Sequence, residues 1–592
     1  MVNQTQIETI TSIPEVEVFE VPMVESTSSG SQQSLSSSTK SDVSFCTTNS
    51  GDLSLDEALE EGRELMKMFI NNKMDEVLPI LQEKANSSMI HALGVAAVRF
   101  FEAILTLDKS YLQLTIEAFK YSSAFADSLR RKSYTSFLFS PNYNGYTDEE
   151  CHAELCYAKS YLLWGLVTVL EDQSVYGFIN GALKIRASHQ SYKECLAMLK
   201  HRTTWDSEIS RMHFESGTRL GIGAFDLVIS FFPTKMAKLL EFVGFNSDRD
   251  VALDELNMSV NLVDGLLYDV TSILLSGYYG FLEYFYGLGE GDVEFFNRSS
   301  KIWLVRTPES AIVKLGLGVR EKIIGNPDKA IDYYVECIKG QSFWRQLNFA
   351  CYWEIIWCYA MKCDWEKAAN YARLLKDDCK WSPAMFTYLY AVFTFMVMEE
   401  NDRPDLEQDI SKAFLRIPQL KRRFGGKRAF HEKIVIERSR KYHDKVKQML
   451  LPPFELLYIW NIFNMMASNH TLIQVYLDKI DAKLTVHKKD KDDHNSSLDA
   501  YCYLKFMKGV CYRHLNQLVK SIDCFTEVLN CKKRIDEETH LLPQCAFELG
   551  LIHRSMGQNV EAKKWLKKSR DDYSGYLTET MIHYRVQCAL YR

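Results

Sequence analysis

From Ser54 almost to the C-terminus, apolar residues recur every three or four positions, the spacing that lines one face of an α-helix. No stretch sustains the two-residue alternation of a strand, so the pattern predicts an all-α chain. Ser54 and Glu57 form a capping box at the first helix. Residues 55–84 then read as two antiparallel helices joined near Asn71–Lys73, the second ending after Leu81. A second pair over 88–131 breaks around Asp108–Lys109. A loop containing Pro141, Asn142, Asn144 and Gly145 leads to a long helix from about Thr147, which continues through Leu155, Ala158, Leu162, Leu166 and Leu170.

The segment 213–256 carries the most specific pattern. Gly217, Gly221 and Gly223 sit in a helical stretch, where each glycine costs up to ~1 kcal/mol relative to alanine. Gly217 and Gly221 share a face, with Ala224 beside it, so another backbone is expected to approach there. Pro233 suits the first turn of a second helix, which is expected to stop near Gly244, with Ser247 or Asp248 capping the next. Helices are expected to continue over 257–320.

Four later stretches repeat one arrangement, with small residues where two helices cross and large ones beside them. GLGVREKIIGNPDKAIDYYVECI offers Gly318, Ala330 and Tyr334, with Asn326-Pro327 at the turn. CYWEIIWCYAMKCDWEKAANYARLL places Tyr359 and Ala368 at matching offsets. KGVCYRHLNQLVKSIDCFTEVL gives Gly509, Tyr512, Ser521 and Phe525, and FELGLIHRSMGQNVEAKKWLKKS gives Gly550, Ala562 and Leu566. These are tetratricopeptide-like offsets, and they predict a solenoid of helical hairpins. The expected organisation is a tail at 1–52, N-terminal repeats at 53–200, a glycine-bearing core at 201–300 and tetratricopeptide repeats at 301–400. A basic segment follows at 401–450, then C-terminal helices and repeats at 451–592.

The string ESGTRLGIGAFDLVISFFPTKMAKLLEFVGFNSDRDVALDEL resembles the signature of the tetratricopeptide repeat protein 39 family, which includes fungal outer-membrane and inclusion-body-clearance relatives. HAELCYAKSYLLWGLV, FINGALKIRASHQSYKEC and the C-terminal FELGLIHRSMGQNVEAKKWLKKSRDDYSGY extend the similarity from about Ser54 to the end. Asp226 departs from the family pattern, which leads one to expect asparagine there. The resemblance implies a cytoplasmic adaptor, with animal members linked to lipid homeostasis and protein turnover.

Composition adds boundaries. Among 592 residues, 46% are hydrophobic and 25% charged, as in an ordinary globular chain, and a net charge of −7 argues against bulk nucleic-acid affinity. The first fifty residues hold nineteen Ser or Thr and one basic residue, Lys40, against six acidic ones. That composition predicts a disordered tail, open to phosphorylation, rather than a secretory or mitochondrial leader. The fifteen cysteines show no C-x-x-C and sit mostly in apolar helical patterns, which fits a reducing compartment. The apolar stretches 262–289 and 384–398 are interrupted by acids or too short to span a bilayer, and read as buried helices.

Residues 412–447 hold thirteen Lys or Arg against three acidic residues. Lys421, Arg422, Arg423, Lys427 and Arg428 are the candidate face for an acidic partner or anionic membrane, beside the plainer reading of a solvated surface. Enzyme motifs are lacking: no GxxxxGK[ST], HExxH or GxSxG occurs. Cys151, His152 and Cys156 form the one compact metal-like cluster, better read as core. His213 and Glu215 read as capping residues. The aromatic groups Tyr278-Tyr279, Tyr284-Phe285-Tyr286 and Tyr352-Trp353 read as core, with a groove as the second reading. The expectation is a non-enzymatic scaffold that binds protein partners on a concave helical surface, with no catalytic residue, cofactor, metal or small-molecule substrate and no transmembrane span. The alternative is a peripheral organelle-membrane protein using 412–447.

Overall fold

The computed structural model describes residues 53–131, 142–172, 174–231, 248–342, 344–421, 430–444, 449–489 and 498–591, all within the unit Leu53–Arg592. The predicted tail at 1–52 lies outside them, as do Pro233, Gly244 and the helix expected between them. Every element among the described residues is helical. The Ser54–Glu57 capping box forms, and a second joins Thr147 to Glu150 at the start of Asp148–Glu171.

Five helical hairpins close in the same way. They pair Leu55–Ile70 with Met74–Lys84, Ala311–Ile323 with Pro327–Lys339, Arg345–Met361 with Trp365–Asp378, Leu498–His514 with Leu518–Asn530, and Leu541–Ser555 with Asn559–Asp571. In each, the residue two before the second helix is left-handed: Asn72 (φ 67°), Gly325 (79°), Cys363 (55°), Asn516 (57°) and Gly557 (73°). The next amide then reaches the carbonyl five residues back. Asn326 N donates to Glu321 O at 2.9 Å, Asp364 N to Tyr359 O at 3.0 Å, and Gln517 N to Tyr512 O at 2.8 Å. This satisfies carbonyls that the end of the first helix leaves open and fixes the angle of return.

The predicted packing positions then meet. A Cβ on Gly318 would overlap the Tyr334 ring, one on Gly509 would lie 2.7 Å from Phe525 Cε1, and one on Gly550 2.7 Å from Leu566 Cγ. Ala330, Ala368 and Ala562 are buried. In the Arg345–Asp378 hairpin the sizes are exchanged: Ile356 stands where the others have glycine and Ala372 where they have the large residue, both fully buried. Tyr359 and Tyr512 are half-buried at the edge, and Tyr359 stacks on Tyr371 at 5.9 Å.

Toward the N-terminus, the long helices Asp148–Glu171 and Val175–His201 cross where Gly165 faces Gly181; a Cβ on either would lie 2.9 Å from the other's carbonyl oxygen. The stretch 262–289 is not one helix. Tyr268–Gly277 runs into a π-turn at Tyr278–Leu282, with Asp269 and Glu283 buried. Pro383–Glu400 is buried nearly all round. Among the described residues, Met89–Thr106 is the one helix long and apolar enough to cross a bilayer, with a mean hydropathy of 1.5. Here it packs against Met74–Lys84, Lys109–Leu129 and Asp148–Glu171.

Candidate functional site

A segment that carries no repeat pattern occupies the centre of the repeat array. Leu451–Trp460 is buried at every position, and Ile462, Phe463, Met465 and Met466 continue the run. It forms two short helices, Pro452–Ile459 and Ile462–Met466, hinged at Asn461, whose φ is 53°. Its partners are Ala311–Ile323, Arg345–Met361, Pro383–Glu400 and Leu498–His514. Three of the four, Ala311–Ile323, Arg345–Met361 and Leu498–His514, are the first helices of their hairpins, so the segment packs against hairpins from both halves. Polar side chains stitch it in place. Asn461 Nδ2 donates to Tyr284 O at 2.6 Å and Gly287 O at 3.2 Å. Asn469 Nδ2 donates to Gly325 O at 3.0 Å, and the buried Arg585 donates to Ile459 O at 2.6 Å.

The plug leaves part of the inner face unfilled. A groove of about 440 Å³ remains among Phe281, Trp303, Phe349, Trp353, Trp381 and Trp460, with Gly277, Gly280 and Gly316 giving it depth. Trp353 meets Trp460 edge-on at 4.9 Å, and Phe349 meets Trp381 at 6.2 Å. Phe281 and Trp381, each 40% exposed, stand at its edge. The charged groups here are spoken for. Glu354 pairs with the buried Lys322, and burial lowers the pKa of His431, which favours the neutral ring. The groove therefore offers aromatic and aliphatic surface with room for a few side chains.

The glycine-bearing helix Glu208–Ser230 contributes differently from expectation. Only Gly223 admits a backbone: a Cβ there would lie 2.8 Å from Ala252 O and 3.0 Å from Leu256 N. Gly217 and Gly221 face side chains instead, Leu155 and Lys159 at the first and Tyr192 at the second. Ser207 caps this helix and Asp248 caps Arg249–Asn261. His213 and Glu215 are not caps. They lie within the helix, where His213 Nε2 meets Glu60 at 2.9 Å, His213 Nδ1 accepts from Leu266 N at 3.0 Å, and Glu215 pairs with Arg219.

The remaining candidates separate. Cys151 receives Arg202 Nη1 at 3.0 Å and His152 contacts Ser210 O at 3.1 Å, and no cluster of three metal-ligating residues occurs among the described residues. Tyr278, Tyr284 and Phe285 are core, whereas Trp353 lines the groove. Lys421 is exposed; Arg422, Arg423, Lys427 and Arg428 lie outside the described residues. Part of the basic run is internal: Arg438 is enclosed between Glu455 at 2.6 Å and Glu538 at 2.9 Å, with Lys441 also on Glu538. The plug escaped the sequence reading, since a segment buried on all sides has no amphipathic period.

A model of the Iml2/tetratricopeptide repeat protein 39 family matches residues 63–515. The chain is 30% identical over 548 residues to tetratricopeptide repeat protein ttc-39B of Caenorhabditis elegans, covering 92% of this chain and 93% of that protein. The crystal structure of yeast Tom70 aligns over 90% of this chain and 95% of its own at 10% identity, with a TM-score of 0.21 that gives the likeness no weight.

Proposed function

The chain belongs to the Iml2/tetratricopeptide repeat protein 39 family, and from that premise we propose that it is a protein-interaction scaffold whose working surface is the aromatic groove beside the plug. One observation carries this reading: the groove continues a surface that already holds a peptide segment. Leu451–Met466 docks on Ala311–Ile323, Arg345–Met361, Pro383–Glu400 and Leu498–His514 through apolar side chains, with Asn461 reaching the carbonyls of Tyr284 and Gly287. Trp460 belongs to both the plug and the groove wall. A partner segment bearing one or two aromatic or branched side chains finds the same chemistry in trans, with Phe281 and Trp381 at its entrance. Binding is the mechanism, and no step in it needs a reacting group.

The test places a photo-crosslinking amino acid at position 281 or 381 of the full chain in cells, with a control at Val560, which is 85% exposed. Discrete protein adducts from 281 and 381, absent from 560, are the expected result. An identical adduct pattern from all three positions refutes the groove as the docking surface.

A further inference from the structure

A second cavity, of about 390 Å³, lies within the N-terminal helices, between Leu55–Ile70, Met89–Thr106, Asp148–Glu171, Glu208–Ser230 and Tyr268–Gly277. Its volume falls in the range of ligand pockets, about 300–1,000 Å³, whereas protein interiors rarely keep a void much larger than a water molecule. Its walls are apolar, Phe69, Phe101, Leu163, Leu220 and Leu274 among them. Four polar side chains break that lining, His152, Lys159, Tyr192 and His213, and of these Lys159 and Tyr192 have no hydrogen-bond or ion-pair partner among the described residues. Lys159 keeps some accessible surface although protein surrounds it, because the surface it keeps faces the cavity.

The surroundings of Lys159 hold no counter-charge. The groups near enough to act on it are Cys156, Cys195, His152 and His213. His152 is neutral, its pKa pushed down to about 3 by burial, and it is held on Ser210 O at 3.1 Å. His213 is engaged by Glu60 on one nitrogen and by the Leu266 amide on the other. Burial lowers the Lys159 pKa as well, since an unpaired ammonium is costly in such a place. Two glycines of the family signature, Gly217 and Gly221, make room for both polar heads. A Cβ on Gly217 would lie 2.6 Å from Lys159 Nζ, and one on Gly221 would lie 2.5 Å from Tyr192 Oη. The two stand one helical turn apart on one face, so this helix is bare of side chains where the amine and the phenol sit.

We propose that this cavity binds a single-chain amphiphile with a carboxylate head, a long-chain fatty acid, its head group on Lys159 and its chain among the apolar walls. The carboxylate supplies the missing counter-charge as a charge-assisted hydrogen bond. The chain fills space that otherwise forfeits dispersion contacts. The ligand is bound and not transformed; the cavity shares Ile273 and Ile312 with the wall of the aromatic groove, but Lys159 does not line that groove, so the head-group contact tests this site apart from it.

The probes are oleate and oleyl alcohol, titrated into the delipidated full-length protein and followed by native mass spectrometry and competition with a fluorescent fatty acid. Oleate is expected to bind saturably, one per chain, and more tightly than the alcohol. Lys159→Met is expected to weaken oleate by about tenfold or more, the worth of a hydrogen bond to a charged group, and to leave the alcohol nearly unchanged. A diazirine-bearing fatty acid on the unmodified protein keeps the test independent of how the variant folds. Its adducts are expected in 89–106, 148–171 or 208–230. Absence of saturable oleate binding, equal affinity for oleate and the alcohol, full oleate affinity in a folded Lys159→Met, or adducts confined to other segments each overturns the proposal.

Discussion

Gly221→Ala should destabilise the protein although it removes a helix-interior glycine. By helix propensity alone the change stabilises by up to ~1 kcal/mol. The Tyr192 ring opposes it. A Cβ at position 221 would fall well inside contact distance of Cε1 and Cζ, and Tyr192 is only 2% exposed, so the ring cannot swing into solvent. Overpacking typically costs about 1–3 kcal/mol, and the cavity beside Tyr192 gives its ring some room, so the net loss is up to about 2 kcal/mol. Gly277→Ala is the matched control: that glycine is helical, and nothing lies within 4 Å of its added Cβ. It should stabilise by a few tenths to ~1 kcal/mol.

The sharper assay is a double-mutant cycle read by far-ultraviolet circular dichroism during denaturant unfolding. Tyr192→Leu costs stability by itself because it leaves a cavity. In that background the ring atoms are gone, so Gly221→Ala should change sign and become neutral or stabilising. The coupling belongs to the range of about 0.5–3 kcal/mol seen for side chains in contact. Gly221→Ala with an unchanged or raised midpoint would refute the packing argument, as would equal destabilisation in both backgrounds.

Two further changes test buried charge. Asp226, with Glu255 near it and Lys193 opposing, has its pKa raised to about 6 from 3.8, chiefly by burial. The folded state therefore holds that proton more tightly, a contribution fully present below the unfolded pKa and lost as pH rises through about 6. Asp226→Asn removes it, so the stability of the variant relative to wild type should grow by up to about 3 kcal/mol between pH 4 and pH 7; parallel pH profiles in chemical unfolding would contradict this. Arg438→Met takes the guanidinium away from the buried Glu455 and Glu538, leaving Glu538 with Lys441, and should cost about 3–5 kcal/mol at neutral pH. Arg438→Met with Glu455→Gln and Glu538→Gln should recover most of that loss in the same unfolding assay, and no recovery would mean that packing, not charge, is what Arg438 supplies.

The hairpins were legible because their chemistry is local. Gly318, Gly509 and Gly550 each precede by sixteen residues the large side chain they accommodate, a relation fixed by two helices and one turn. The exchange of Ile356 with Ala372 hid the same packing from a search for small residues at one fixed offset, and Cys363 hid a left-handed turn that Gly325 and Gly557 advertise. Long-range features left no such trace. Lys159 lies in an ordinary helical pattern, and only the fold brings Gly217 and the ring of Tyr192 to the same cavity. The basic run 412–447 misled in part, because composition does not reveal that Arg438 is met by Glu538, one hundred residues away.

The plug explains why the candidate site is a groove and not a whole concave face. In an open array each repeat contacts mainly its neighbours, and stability is close to a sum of local terms. Here Asn461 and Asn469 tie the plug and the turn after it to Tyr284, Gly287 and Gly325, and Arg585 joins Ile459 of the plug to Phe285. Hairpins from both sides therefore share one core, which runs from Leu220 to Ala589. Filling the inner face in this way removes surface that stacked hairpins would otherwise present to a partner. The aromatic pocket survives where the plug bends at Trp460 and Asn461, and it gets its shape from both the repeats and the insertion. A repeat-consensus substitution elsewhere in the array should thus leave it intact, whereas any change that shifts Trp460 against Trp353 and Phe285, with ring centroids at 4.9 and 4.1 Å, alters its wall directly.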